Sequence, residues 1–297
     1  NYDAEVLLGE EVKLYDKKPV KAMDHNDAIT ILLDTLTDKE IGILESMADI
    51  NAAGHRVLHG GEEFSGSVLV TEDVKAAVRR CIPLGPLHNP ANLMGIEVCE
   101  EIMKGIPQVA VFDTAFHATI PDYAYMYALP YELYEQYGVR RYGFHGTSHR
   151  YVSQRVCEFL GCSPEGKKII TCHIGNGSSI SAVKGGKVLD TTMGFTPLAG
   201  VEMGTRCGDI DPAVVTYVMK KTGMSPDEMS NFMNKKCGLL GVSEISSDSR
   251  EARSKAAMSA SRYFFVSTSS MLRHACSKLC FTDSLKCSRR IFTISSM

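Results

Sequence analysis

Residues 169–183 read IITCHIGNGSSISAV, and this stretch decides the fold prediction. Two apolar runs flank a Gly-Asn-Gly-Ser-Ser turn, a pattern that predicts a β-hairpin with His173 at the mouth of the turn. Gly175 and Gly177 permit a positive φ and close backbone approach, so successive amide N–H groups can converge on an anion. Three side-chain donors share the turn: Asn176, Ser178 and Ser179. The turn therefore predicts a phosphate-binding loop, and the alternative is an ordinary glycine-rich hairpin turn.

Composition limits the function classes. The chain has 297 residues, 44% of them hydrophobic and 23% charged, which is enough for two globular domains. A formal net charge of −3 provides no basic field for nucleic acid. No apolar run approaches the roughly 18 residues that cross a bilayer, so no membrane role is expected. The ten cysteines are scattered without C-x-x-C pairs, which predicts reduced thiols in a cytoplasmic protein.

Strands and helices alternate along the chain. The apolar run at 109–112 predicts a buried strand. One helix is predicted to begin with Asn89 as its N-cap and Pro90 in its first turn, and another to run from Thr147 or Ser148 to Gly161. Such alternation favours an α/β architecture.

Histidines concentrate in one part of the sequence. Seven of the nine lie between His55 and His173, which predicts one shared site. His88 and His145 directly precede predicted helix starts, where anions are attracted. A metal site is the rival interpretation, but no H-E-x-x-H motif occurs and Arg56 adjoins one of the histidine pairs. We therefore assign no metal ligands.

Two arginines and one aspartate complete the candidate site. Arg56 and Arg206 lie in glycine-rich, weakly charged surroundings, where a guanidinium needs an anionic partner. A bound anion is the favoured partner, and an internal ion pair with an aspartate such as Asp113 is the alternative. Asp113 follows the apolar run at 109–112, so it is expected at the carboxyl end of a strand, where ligand crevices form. A helix-capping role is its alternative.

Taken together, seven ordered motifs resemble the acetate kinase family. They are HRVLHGGEEF, PLHNPANLMGIE, IPQVAVFDTAFH, YGFHGTSHRYVSQR, TCHIGNGSSISAV, DTTMGFTPLAGVEMGTRCGDIDP and GVSEISSDSRE, between about residues 24 and 251. The resemblance implies an α/β fold of two ribonuclease-H-like domains of the actin-like ATPase type around a nucleotide cleft. It also implies a homodimer.

The resemblance implies a role for each matching residue. Asp113, His145 and Arg206 are similar to the catalytic residues, with His145 and Arg206 stabilising the transition state. Arg56 and His88 are similar to substrate-binding residues, and His149 to a supporting histidine. The residues expected to bind ATP are His173, Ile174, Gly175, Asn176, Gly177, Asp248, Ser249 and Arg250.

The implied reaction is reversible transfer of the ATP γ-phosphoryl group to acetate, giving ADP and acetyl phosphate, with Mg²⁺ as the metal. The substrates repel each other, so guanidinium groups, imidazole donors, loop amides and a divalent cation must offset their charge. Acetate is already deprotonated at neutral pH and needs no general base. We therefore predict that Asp113 orients the metal and the γ-phosphoryl group. The magnesium ligands of the family are expected outside this sequence.

Both ends depart from the family pattern. We expect a first domain at 1–117 without its first strands, a partial second domain at 118–251, and an atypical basic, serine-rich tail at 252–297. The tail contains eight Lys or Arg residues against one acid, Asp283, and it reads either as a basic amphipathic helix or as sequence foreign to the fold. The foreign reading is favoured, and such a tail is not expected to replace the missing strands of the second domain. The start at Asn1 is expected to be a broken end and not a targeting segment.

Three functions follow. The first is an acetate kinase. The second is a propionate or short-chain carboxylate kinase, because one methylene in the acyl pocket discriminates by only about 1–3 kcal/mol. The third is a catalytically inactive fragment that binds nucleotide weakly or serves as an interaction surface.

Overall fold

A computed structural model describes residues 25–256 and 291–296 of the chain. It has the mixed α/β architecture that the alternating pattern predicts. The helices are α1 (His25–Leu36), α2 (Glu72–Arg80), α3 (Asn89–Ile102), α4 (Asp122–Tyr125), α5 (Tyr131–Tyr137), α6 (Gly146–Phe159), α7 (Pro212–Thr222), α8 (Pro226–Lys235), α9 (Gly238–Ser243) and α10 (Ser249–Ala256). The strands are β1 (Ala53–Val57), β2 (Val68–Leu69), β3 (Gln108–Phe112), β4 (Lys168–Ile174), β5 (Ser178–Lys184), β6 (Lys187–Thr191) and β7 (Ile291–Ser296).

The first sheet has the order β1-β3-β2. β1 and β3 are parallel, with Val57 opposite Phe112, so their carboxyl ends lie side by side. α2 and α3 cover the sheet through a core that includes Val78, Ile96 and Phe112. This parallel register brings Arg56, the residue before Val57, close to Asp113, the residue after Phe112.

Asn89 differs from its predicted role. Residue 88 is the N-cap of α3 and makes no side-chain capping bond, while Asn89 is the first helical residue. The buried Asn89 amide instead accepts from the His59 backbone N–H and donates to the His59 carbonyl, at 3.2 and 3.0 Å. The side chain therefore ties α3 to the segment that follows β1.

The second sheet has the order β6-β5-β4-β7. β4 and β5 form the predicted hairpin, antiparallel, with the glycine turn at 175–177. Cross-strand pairs on the face that bears Ile169 change from apolar to polar toward the turn: Ile169 with Val183, Thr171 with Ser181, and His173 with Ser179. The apolar end packs with Val156 and Cys157 of α6 in one core cluster. The polar end, next to the glycine turn, lies outside this apolar cluster.

Part of the tail contributes to this sheet, against expectation. β7 pairs in parallel with β4, and Ile291 lies opposite Ile169. The extended backbone of this segment pairs with the open edge of β4, because the ladder requires only backbone groups. Residues 291–296 therefore form a strand of the second sheet, which the expectation for the tail did not include. The amphipathic-helix reading concerns residues 257–290, which lie outside the described residues.

α6 begins at Gly146, one residue before the earlier of its two predicted starts, and ends at Phe159. Gly161 follows with a φ of +61°, as expected of a glycine that ends a helix. Within the described part of the chain, no helix is both long and apolar enough to cross a membrane.

A matched pair of substitutions in α3 tests the packing of the helices against the first sheet. Ile96 is fully buried, whereas Met94, two residues earlier, is 47% exposed. We expect Ile96→Ala to lower the free energy of unfolding by about 2–5 kcal/mol. Met94→Ala is expected to change it by less than about 0.5 kcal/mol. Urea denaturation followed by circular dichroism measures both, and equal losses would contradict the described core.

Candidate active site

A cavity of about 770 Å³ opens between the carboxyl ends of β1 and β3 on one side and the β4–β5 turn on the other. The expected catalytic residues, substrate-binding residues and most of the glycine turn meet here. The predicted residues that line it are Arg56, His88, Asp113, His145, His173, Gly175, Asn176, Gly177 and Arg206.

Arg56 and Asp113 form a bidentate ion pair. Arg56 Nε and Nη2 donate to the two Asp113 carboxylate oxygens at 3.0 and 2.7 Å. The Asp113 side chain is 1% exposed and that of Arg56 is 67% exposed, so the guanidinium extends from a buried anchor into the cavity. The internal ion pair, the less favoured interpretation for Arg56, is therefore what forms. The arginine nevertheless keeps open sides on which a carboxylate can bind.

The backbone around His145 is set by a close approach to Asp113. Gly146 N–H donates to the Asp113 carbonyl at 3.0 Å, and a Cβ on Gly146 would lie 2.3 Å from that oxygen. His145 itself adopts the left-handed conformation, with φ at +61°. This strained geometry at the start of α6 turns the imidazole into the cavity.

The His145 ring is held from two directions. Its Nδ1 lies 2.8 Å from Ser179 Oγ. The His173 ring stacks against it with a centroid distance of 4.0 Å, and His173 Nδ1 lies 2.9 Å from Ser148 Oγ. The orientation of His145 in the cavity is therefore fixed.

The imidazoles of the site are neutral near pH 7. Burial, then the neighbouring His173 and the guanidinium groups of Arg56 and Arg206, lower the pKa of His145 to about 3. Burial, with smaller effects from the same two arginines, also lowers the pKa of His88. For His173, burial and Arg56 lower the pKa, opposed by Asp113. These rings act as hydrogen-bonding dipoles, and the arginines carry the positive charge.

The glycine turn meets Arg206 and His145 at one point. A Cβ on Gly177 would lie 3.1 Å from Arg206 Nη2 and 3.4 Å from His145 Nε2. Arg206 Nη1 donates to the Pro197 carbonyl at 2.9 Å, and among the described residues no carboxylate pairs with this guanidinium. The absence of a side chain at Gly177 therefore leaves Arg206 Nη2 and His145 Nε2 facing the same space beside the loop.

Four of the expected ATP-binding residues do not line the cavity. Ile174 is the last residue of β4, opposite Ser178. Asp248, Ser249 and Arg250 lie at the start of α10, where the Asp248 carboxylate accepts from Arg250 Nη2 at 2.7 Å. A nucleotide contact by these four residues stays a prediction.

Sequence analysis did not identify several polar residues that support the site. Ser148 contacts His173, and Asn92 Oδ1 accepts from the Leu58 backbone N–H at 3.0 Å. Thr171 Oγ1 lies 2.7 Å from His149 Nδ1. Hydroxyl groups that alternate with apolar residues along 169–183 were the available signal, because residues two apart share one face of a strand.

The side chains that line the cavity suit a magnesium ion that is already bound to phosphates. Magnesium prefers oxygen ligands and usually retains water and substrate phosphates in its shell. Within the described residues, no group of three His, Cys, Asp or Glu side chains could hold a metal ion. Asp113 is the single carboxylate among the residues that line the cavity. The site therefore fits a magnesium ion that arrives with nucleotide phosphates, not a cation held by protein ligands alone.

Comparisons with known proteins agree with this geometry. The profile of the Acetokinase family matches residues 4–274, a wider range than the motifs indicate. An acetate kinase of Methanosarcina mazei is 60% identical over 235 residues, which are 79% of this chain and 58% of that protein. The chain thus spans somewhat over half the length of the relatives it matches.

Two solved structures are similar in fold. The acetate kinase of Porphyromonas gingivalis superposes with a TM-score of 0.77 at 50% identity, covering 84% of this chain and 62% of that one. A propionate kinase of Francisella tularensis has a TM-score of 0.81 at 42% identity, covering 88% of this chain and 67% of that one. These similarities confirm the predicted fold class.

Buried histidines predict how stability depends on pH. Burial lowers the pKa of His59 and of His117 to about 4, from 6.5. The unfolded chain takes up these protons below about pH 6.5 whereas the folded protein does not, so stability falls as the pH drops from about 6.5 to about 4. Above this window both states are neutral at these positions, and their contribution is constant.

The variant His59→Asn tests this dependence. His59 Nδ1 accepts from the Gly61 backbone N–H at 3.0 Å, and an asparagine Oδ1 supplies a similar acceptor. We expect a smaller loss of unfolding free energy between about pH 7 and pH 5 in the variant than in the wild type. Urea denaturation at each pH measures it, and identical slopes would mean that burial does not lower the pKa of His59.

Proposed function

Because the chain belongs to the acetokinase family, we propose that its site transfers the γ-phosphoryl group of ATP directly to acetate, forming acetyl phosphate and ADP. The observation that carries the proposal is the meeting of Arg206, His145 and the glycine turn at Gly177. Phosphoryl transfer is catalysed mainly by positioning and by donors directed at the equatorial oxygens. This arrangement supplies such donors at a point where no side chain intervenes.

In this proposal each residue has a distinct task. Arg56, held by Asp113 and exposed on its outer side, binds the acetate carboxylate. Arg206 and His145 donate to the transferring phosphoryl group, and the amides of Asn176 and Gly177 bind the nucleotide phosphates, since the Gly175 N–H already donates to the Gly177 carbonyl at 3.1 Å. His88, neutral and exposed, lines the substrate side of the cavity. We keep Asp248, Ser249 and Arg250 as candidate nucleoside contacts.

Magnesium bound with the nucleotide would neutralise phosphate charge, and Asp113 is the side chain that would orient it. The carboxylate already accepts two hydrogen bonds from Arg56, but each oxygen retains a second acceptor position. Asp113 therefore links the guanidinium that binds the acceptor to the charge of the donor nucleotide.

A propionate kinase is the second candidate. The similarity to the Francisella tularensis propionate kinase favours keeping it, because the two acceptors differ by one methylene. We further propose a cytoplasmic location, which the seven free cysteines among the described residues support, and a homodimer, as the family resemblance implies.

The first test measures acyl phosphate formation by this chain. The chain is incubated with ATP, magnesium and either acetate or propionate, and acyl phosphate is trapped with hydroxylamine. We expect acyl hydroxamate with acetate and a lower kcat/KM with propionate. A higher kcat/KM with propionate would favour the second candidate. No product from either acid, in a folded chain, would contradict the proposed activity of this chain.

The substitution Arg206→Ala tests the residue that carries the proposal. It removes a donor directed at the phosphoryl group, so kcat is expected to fall by about 10²–10³-fold. Arg155→Ala is the matched control, because Arg155 is 57% exposed on α6 and pairs with Glu158. The control is expected to retain kcat, and an equal kcat in both variants would contradict the role of Arg206.

The substitution Asp113→Asn tests the proposed orienting role. The amide keeps the size of the side chain but removes its charge, so both the hold on Arg56 and the orientation of magnesium weaken. We expect a lower kcat and a higher magnesium concentration for half-maximal rate. Full turnover with unchanged magnesium dependence would refute the role.

A further inference from the structure

A continuous chain of hydrogen-bonding groups leads from His145 into the protein interior. His145 Nδ1 lies 2.8 Å from Ser179 Oγ, and the same oxygen lies 2.7 Å from His149 Nε2. On the other side of that ring, His149 Nδ1 lies 2.7 Å from Thr171 Oγ1. Ser179, His149 and Thr171 are each buried to at least 99%, so water does not compete for these contacts.

The number of protons on these groups determines the direction in which the hydrogen bonds between them point. A hydroxyl group has one proton to donate, and a neutral imidazole has one N–H and one acceptor nitrogen. Burial lowers the pKa of His149 well below its ordinary value, and the pKa of His145 is about 3, so both rings are neutral near pH 7. Ser179 Oγ could also accept from both rings, but its own buried proton would then have no acceptor among the printed contacts of the described residues, which is costly. With that arrangement set aside, all the hydrogen bonds point the same way along this series of groups, and two arrangements remain.

The two arrangements differ at the Thr171 end. In the first, Thr171 donates to His149 Nδ1 at 2.7 Å, His149 Nε2–H donates to Ser179, and Ser179 donates to His145 Nδ1. In the second, every bond is reversed, and the Thr171 hydroxyl must donate to the Ser181 carbonyl at 3.5 Å. A bond of that length is weak, so the first arrangement is favoured.

From this chain of contacts we propose that Thr171, His149 and Ser179 are positioning residues that hold neutral His145 in the tautomer with its proton on Nε2. That nitrogen is the one beside Gly177 and Arg206. A neutral ring donates there only if its Nδ1 accepts, and Ser179 supplies the required proton. The identity of the acceptor, a phosphoryl oxygen, rests on the proposed function, whereas the tautomer does not.

The neighbouring groups fix the position of the His145 ring and keep it neutral, so its tautomer is the property that remains to be set. The stacked His173 and the left-handed backbone fix the position of the ring. Arg56, Arg206, His173 and His117 all disfavour a positive charge on it. In the opposite tautomer Nε2 would present a lone pair to the phosphoryl oxygen and repel it.

Nuclear magnetic resonance of the full chain tests the proposal directly, because tautomers are otherwise inferred from hydrogen-bond partners. The chain is labelled with ¹⁵N-histidine, and long-range ¹H–¹⁵N correlation spectra are recorded near pH 7.5 without ligand. We expect His145 to be neutral with its proton on Nε2. A proton on Nδ1, or on both nitrogens, would overturn the proposal.

Substitutions of the hydrogen-bonded residues distinguish a positioning role from a general effect on the structure. Ser179→Ala and Thr171→Val each remove a hydroxyl donor, and we expect each to populate the Nδ1–H tautomer of His145. Thr171→Ser keeps the hydroxyl and should restore the wild-type spectrum. Ser181→Ala is the matched control, because this buried serine shares the strand face but its Oγ contacts His117 and Thr191. An unchanged His145 tautomer in Ser179→Ala or in Thr171→Val would refute the positioning role of these residues.

Activity provides a second readout. In the acyl phosphate assay we expect Ser179→Ala to lower kcat by about tenfold or more, with a smaller change in the KM for acetate. Ser181→Ala is expected to keep the wild-type kcat. If wild type forms no acyl phosphate, the proposed function fails while the spectra still decide the tautomer. A wild-type kcat in Ser179→Ala would overturn the positioning role.

Discussion

Asp113 uses all of its polar groups to join separate parts of the fold. Its N–H donates to the Val57 carbonyl at 2.9 Å, which continues the β1–β3 ladder beyond the strands. Its carbonyl accepts from Gly146 at the start of α6, and its carboxylate holds Arg56. One residue thereby fixes the end of the first sheet, the start of the helix that bears on the second sheet, and a guanidinium of the cavity. The positions of the site residues depend on this junction.

The hairpin and the helix that follows the histidine motif were predictable because their signals are local. Glycines in a short turn between apolar runs, and a helical stripe that ends at a glycine, act over a few residues. The ion pair of Arg56 with Asp113 depends instead on the register of two strands that lie 57 positions apart in sequence. Spacing contains no information on register, so the pair was only an alternative at that stage. The role of Asn89 was mispredicted for the same reason, since its partners lie on His59.

The edge of the second sheet shows a different limit of sequence reasoning. Composition separates residues 252–297 from the rest of the chain, and it favours sequence foreign to the fold. Pairing with β4, however, requires only an extended backbone, which residues 291–296 provide. Amino-acid composition reports on the side chains of a segment, whereas pairing with an open strand edge depends on the geometry of its backbone. The same property makes such edges general pairing sites.

Charge in the cavity is divided between two kinds of donor. Guanidinium groups remain charged at any pH at which the protein folds, so attraction of an anion to Arg56 and Arg206 does not depend on pH near neutrality. Besides burial, these guanidinium groups lower the pKa of the imidazoles: both arginines for His145, and Arg56 for His173. They therefore contribute direction and not charge, and their direction is set by the buried Ser179 hydroxyl and the partly buried Ser148 hydroxyl. Long-range attraction and short-range alignment are thus supplied by different residues, and the strand hydroxyls belong to the site as much as the rings that line it.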